Sequence, residues 1–166
     1  MLFWVNFVMT NEEERLQHWL TVLAEPDAHM SKIAAEKLGS LRLPQAVPSL
    51  IYAMQHRTAS VAAAAALALG EIRDKNAIRP LIVTMMNHQD VVVQTAAAEA
   101  LGAMKAVDAV PSLKRIVQDY LAKYENDRFN LTRGMSRGLF TTAIQSLREI
   151  GTREALRIAA DAERAG

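Results

Sequence analysis

Cysteine is absent from all 166 residues, which removes disulfide frameworks, thiolate metal sites and thiol nucleophiles in one step. An excess of charge of either sign is absent too. The 19 Lys and Arg stand against 18 Asp and Glu, a formal net charge of +1, so the whole chain carries neither a nucleic-acid footprint nor an acidic tail. The opening MLFWVNFVMT is apolar, but it is too short for a membrane span and lacks the basic start and small-residue cleavage pattern of a secretory signal. The default reading is a cytoplasmic protein without a membrane partner. There is no glycine-rich phosphate loop, no GxSxG elbow and no HExxH zinc helix. What the chain does hold is apolar residues, 51% of the total, enough for a continuous core in a single domain over 1–166.

Those apolar residues are arranged in a repeat. AEKLGSLRLPQAVPSL from Ala35, ALALGEIRDKNAIRPL from Ala66 and AEALGAMKAVDAVPSL from Ala98 are versions of one segment, with Gly39, Gly70 and Gly102 spaced 31 and 32 residues apart. A fixed period of this length is the mark of stacked supersecondary units. In each unit an alanine-rich stretch, Ala34-Ala35 to Leu38-Gly39 and its equivalents, places apolar residues at helical spacing and predicts a first helix. Small alanines let neighbouring axes approach closely, and the glycine at the end of the stretch is expected to take the positive φ of a helix stop. A six-residue connector follows, with Pro44, Asp74 or Asp108 for turn or capping chemistry. The second helix then buries Val47, Leu50, Ile51 and Met54, or Ile78, Leu81, Ile82 and Met85, or Val110, Leu113 and Val117. Pro48, Pro80 and Pro111 sit near its start, where a missing backbone donor does least harm.

Carrying the period outward adds a lone second helix at 12–24, with Leu16, Trp19, Leu20 and Leu23 on its ridge, and a last pair at 139–164, with Arg148 in the place of the glycine. The expected architecture is an all-α solenoid: a capping helix, repeats at 28–56, 59–87 and 90–124, a long connection at 125–138, and the last pair. Phe3, Trp4 and Phe7 are expected to cover the apolar end of the stack, with a homodimer contact as the other reading.

The pattern AAxALGxIxDxxAVPxL resembles the HEAT-like repeats of the phycobiliprotein-lyase type from Met30 through Asp119, and more weakly to the end. Such repeats occur in bilin lyase subunits, in phycobilisome-degradation proteins and in adaptors. The resemblance therefore implies a solenoid with a protein partner and, as an alternative, a bilin lyase subunit or chromophore-handling protein. It also implies that the second helices line the concave side. Where the family usually carries Arg after the Val that opens the first helix, this chain has Ser31, Ala62 and Gln94. An iron-dependent hydroxylase on similar repeats uses paired His-Glu motifs, and no His-Glu dipeptide occurs here.

No other pattern points to catalysis, a cofactor or a metal. His56 and His88 fall one repeat apart, roughly 10 Å on stacked helices, far from the bond lengths zinc needs. Glu36 and Glu99 fall two repeats apart, roughly 20 Å, too far to act as a carboxylate pair. Asp27, Asp74 and Asp90 read as helix caps. Binding is the function left, and two surfaces suit it. One is the outward stripe of the second helices, with Tyr52, Arg79, Ser112, Arg115 and Asp119. The other is the basic, aromatic stretch of Tyr124, Arg128, Phe129, Arg133 and Arg137, suited to an acidic protein surface, a phosphate or a tetrapyrrole propionate, and less well to nucleic acid.

Overall fold

A computed structural model of the chain describes residues 12–126 and 137–165, with His56 and residues 124–126 described in backbone alone. Nine α-helices follow one another among these residues. They are α1 (Glu12–Ala24), α2 (Ala28–Leu41), α3 (Val47–His56), α4 (Ala59–Ile72), α5 (Ile78–Asn87), α6 (Val91–Ala103), α7 (Val110–Asn126), α8 (Arg137–Ile150) and α9 (Arg153–Ala165). The fold is an all-α solenoid. Single 3-10 turns at Pro44–Ala46, Lys75–Ala77 and Val107–Ala109 lead into α3, α5 and α7.

The helix starts follow from short-range chemistry. The Asp27 carboxylate accepts from the backbone N–H of His29 at 2.8 Å and of Met30 at 3.1 Å, which satisfies two of the donors that the first turn of α2 leaves without partners. Asp90 accepts from Val92 at 2.8 Å to open α6, and Asp74 accepts from Asn76 at 2.8 Å in the turn before α5. Glu12, Glu13 and Glu14 place negative charge on the positive end of α1.

The helix ends depart from the sequence expectation. Positive φ falls not on Gly39, Gly70 and Gly102 but three residues later, on Arg42 (φ 52), Arg73 (φ 60) and Lys105 (φ 53). The glycines lie inside their helices and serve close packing. A Cβ on Gly39 would stand 2.8 Å from the Cα of Ala68, one on Gly70 2.8 Å from the Cα of Ala100, and one on Gly102 2.8 Å from the Cα of Ser146. Each glycine is a notch into which the backbone of the next first helix is pressed. Arg148, at the equivalent place in α8, has no such helix against it among the described residues. It reaches across to form an ion pair with Glu163 of α9.

The notches set the layers. Helices α2, α4, α6 and α8 pack extensively, each on the next, whereas α1, α3, α5 and α7 each pack on the first helix that follows and scarcely touch one another. The first helices thus form the crowded layer and the second helices the more open one, with the outer face on the exposed side of the second helices and the inner face on that of the first. Between the layers, Leu38, Leu69, Leu101 and Leu147 are fully buried at one repeat position, facing Leu50, Met54, Leu81, Met85 and Leu113 from the outer layer. Burial of this apolar seam is the main stabilising term, roughly 1.5–3 kcal/mol for each large side chain.

The 125–138 connection is shorter than the sequence suggests. Helix α7 runs on to Asn126 and α8 begins at Arg137, so Glu125, Asn126, Arg137 and Gly138 are helical, and the remainder lies outside the described residues. Phe3, Trp4 and Phe7 also lie outside them.

Candidate functional site

The outer face is a row of ridges separated by grooves, because the second helices scarcely touch one another. Tyr52 stands on this face with 61% of its surface exposed, and Val83 of the next unit is 55% exposed. Arg79 is also exposed, while Ser112 is half-buried. Arg115 and Asp119 are brought together, with Nε 3.7 Å from Oδ2 one turn along α7, and both exposed. In water such a pair contributes little to stability and partly neutralises the charge that each would offer a partner. Arg137 is exposed in the first turn of α8. Tyr124 lies in the last turn of α7, described in backbone alone, and Arg128, Phe129 and Arg133 lie outside the described residues.

Tyr52 borders a cavity of about 310 Å³ between α1 and α3, lined by Leu20, Leu23, Ala24, Pro48, Ser49, Ala53 and Arg57. Its walls are mainly apolar, and Arg57 closes one end. The Arg57 guanidinium donates to the carbonyls of Ala24 at 2.6 Å, Glu25 at 3.0 Å and Leu23 at 3.3 Å, at and just past the end of α1. The buried Ser31 hydroxyl lies 3.0 Å from the Glu25 carbonyl and 3.2 Å from that of Leu23. At the equivalent place two units on, the Gln94 amide donates to the His88 carbonyl at 2.7 Å, just past the end of α5. Ser31 and Gln94, two of the residues that stand where the family carries arginine, thus cap the preceding second helix, and Arg57 assists from the far side. Sequence reasoning missed Arg57. The missing arginines were the available signal, since carbonyls left without one donor call for another.

The inner face carries exposed carboxylates, among them Glu36, Glu71, Glu99 and Glu149. Two shallow grooves open there, one of about 250 Å³ between α4 and α6 and one of about 400 Å³ between α6 and α8, with Glu99 bordering both. Nowhere among the described residues do three His, Asp or Glu side chains converge as a metal site would require. His88 is committed locally, its Nδ1 accepting from the Asp90 N–H at 3.0 Å. The Asp27 carboxyl is held below its ordinary value, first by the Met30 N–H and then by that of His29, which is cap chemistry. No helix among the described residues is long and apolar enough to cross a membrane. What these surfaces offer is recognition: apolar grooves, an exposed aromatic ring and dispersed charge.

Comparison with known proteins agrees with this geometry. The family model for HEAT repeats matches at residues 16–82 and again at 47–124. No curated protein matches by sequence. Among solved structures, the complex of CpcE and CpcF of phycocyanin lyase from Nostoc sp. PCC7120 is similar, with a TM-score of 0.69 and 21% identity over 90% of this chain. This chain spans only 64% of that one, and at such identity the likeness is one of fold. With a repeat model matched across most of its length and a solenoid built of stacked helix pairs, the chain belongs to the HEAT-repeat family.

Proposed function

We propose that the protein is a non-enzymatic interaction module that docks a protein partner on the outer face of its second helices. The observation that carries this reading is the cavity of about 310 Å³ beside Tyr52, an apolar slot with an exposed aromatic ring at its edge. Aromatic residues and Arg at the rim of such slots are the usual anchors of an interface. A row of second helices is also long enough to supply the roughly 800 Å² per partner of a standard contact. Arg79, Ser112, Arg115 and Asp119 extend the surface along the stack, and Tyr124, Arg128, Phe129, Arg133 and Arg137 supply a basic end. The solved relative is itself a two-chain complex, which favours a protein as the partner. The compartment in this reading is the cytoplasm, and no cofactor is required. Affinity capture from the native host should recover the same partner with the wild-type chain and lose it with Tyr52→Ala and Arg79→Glu together. Retention of the partner by that variant would overturn the choice of face.

A second reading has one specific observation in its favour, namely that the similar solved chains are named for phycocyanin lyase. In this reading the protein is a subunit that assists attachment of a bilin to a phycobiliprotein. Incubation with free bilin and an apo-phycobiliprotein, with and without a second helical-repeat chain, should then produce a shift in the visible spectrum. An unchanged spectrum in both mixtures leaves the docking module as the function. A homodimer formed through Phe3, Trp4 and Phe7 is tested by light scattering of the full chain against a variant with Ser at all three positions.

A further inference from the structure

Three non-glycine residues have positive φ among the described residues, and all three are cations at one repeat position: Arg42, Arg73 and Lys105. Left-handed backbone is strained for an L side chain, and when a residue other than glycine is tolerated there Asn or Asp is the usual choice. Strain repeated at one position is a reason to look for a use. The macrodipole does not supply it. A cation in the last turn of the helix would serve the dipole without backbone strain, and the fourth unit is built that way, with Arg148 in the last turn of α8 and Gly151 at φ 73. In α2, α4 and α6 the last turn holds no basic residue, and the charge is carried by the turn itself.

From this we infer that Arg42, Arg73 and Lys105 form a recognition rail for an acidic, extended segment of a protein partner. All three are exposed, and the ion pairs among the described residues use Lys32, Arg115, Arg148, Arg157 and Arg164 instead. Neighbouring first helices packed through glycine and alanine stand about 8–10 Å apart, so the three cations recur at that interval along one edge. A polyproline II segment has three residues per turn and rises about 3.1 Å per residue, which puts every third side chain on one face at about 9 Å spacing. Carboxylates at every third residue of such a segment match the rail. The groove of about 250 Å³ between α4 and α6, bordered by Arg42 and Arg73, is lined by Leu67 and Gly70, room for an intervening proline and too little for a helix about 10 Å across. Glu71 and Glu99 border the same groove, and Asp74 and Asp108 lie on the same edge. They disfavour a continuous polyanion such as nucleic acid while leaving discrete carboxylates their places at the cations.

The rail is a different surface from the outer face proposed above, and its test is independent of it. Backbone amide shifts of the full chain are followed in about 10 mM salt, where screening is weak, during titration with a twelve-residue peptide of repeated Glu-Pro-Pro. Comparators are oligoproline, repeated Glu-Pro and a twelve-nucleotide single-stranded DNA. Saturable shifts at and beside residues 42, 73 and 105 are expected with Glu-Pro-Pro, weaker with Glu-Pro and none with oligoproline. The variant Arg42→Gly, Arg73→Gly, Lys105→Gly removes the charges where glycine suits the backbone. It should keep its melting temperature and bind about tenfold or more weakly, from about two- to threefold per exposed cation. The inference is overturned by the absence of saturable shifts, by binding of the triple variant within twofold of wild type, or by tighter binding of the DNA. A variant carrying Tyr52→Ala and Arg79→Glu should bind the peptide as wild type does, which separates failure of the rail from failure of the outer face.

Discussion

Gly70→Ala separates the packing account from the simplest reading of a helix. Gly70 lies inside α4, and judged by propensity alone its replacement with alanine should stabilise the protein by about 1 kcal/mol. The packing says otherwise. The new Cβ would stand 2.8 Å from the Cα of Ala100, 2.9 Å from its Cβ and 3.4 Å from its carbonyl oxygen, two of these being backbone atoms that cannot rotate away. Carbon atoms need about 3.5–4.0 Å, so α6 must retreat from α4 by roughly 0.7–1.2 Å. A gap of that size forfeits about a quarter to a half of the dispersion energy at each contact it opens. Overpacking of this kind costs about 1–3 kcal/mol, and the rigid obstruction puts this site at the upper end. Against the propensity gain, the net loss is about 2 kcal/mol. In a chain of this size that lowers the melting temperature by about 4–8 °C. Thermal and urea unfolding followed by far-UV circular dichroism measure it. Adding Ala100→Gly removes one of the two shortest contacts and should restore part of the loss. A melting temperature that rises in Gly70→Ala would refute the account, because the two first helices could not then be as close as the notch requires.

Leu101→Ala empties the centre of the seam and should cost about 2–5 kcal/mol, with amide exchange quickening in α4 and α8 as well as in α6 because each unit is supported only by its neighbours. Arg57→Ala removes three hydrogen bonds to the end of α1 and should cost about 1–2 kcal/mol, with loss of protection concentrated in α1. Arg57→Lys should recover only part, since an ammonium cannot reach three carbonyls as a guanidinium fork does. Asp27 has a pKa depressed in the folded chain, so its contribution is fully present above the unfolded value of about 3.9 and is lost as pH falls through the folded value. Asp27→Asn, which keeps an acceptor at the cap but cannot titrate, should therefore show a shallower fall in stability with acid below about pH 4. Equal slopes in the two proteins would mean that the Asp27 cap carries no charge-dependent stabilisation.

The solenoid was legible in the sequence because its units are nearly identical and short-range. Leu38, Leu69 and Leu101 recur with their alanines, and each set buries one helix face whatever the arrangement of the rest. Asp27 and Asp90 were legible as caps for the same reason, each acting within three residues of itself. The glycines were misread because a glycine near the end of an apolar stretch has two uses, positive φ and close approach, and only a neighbouring helix about thirty residues away distinguishes them. Arg57 was missed because its partners are 32 to 34 residues earlier and belong to the backbone, which leaves no pattern in side-chain identity.

By itself, then, the order of residues determined the local facts: where the chain is helical, which face of each helix is apolar, and how many times the pair is repeated. The tertiary structure alone decided which layer is crowded, which glycines are packing notches, and where positive φ falls in each turn. The physical reason is range. Periodicity and capping act within a few residues, whereas the spacing of layers follows from backbone pressed against backbone across whole repeats. At that distance a missing Cβ on Gly70 matters only because the Cα of Ala100 has taken its place.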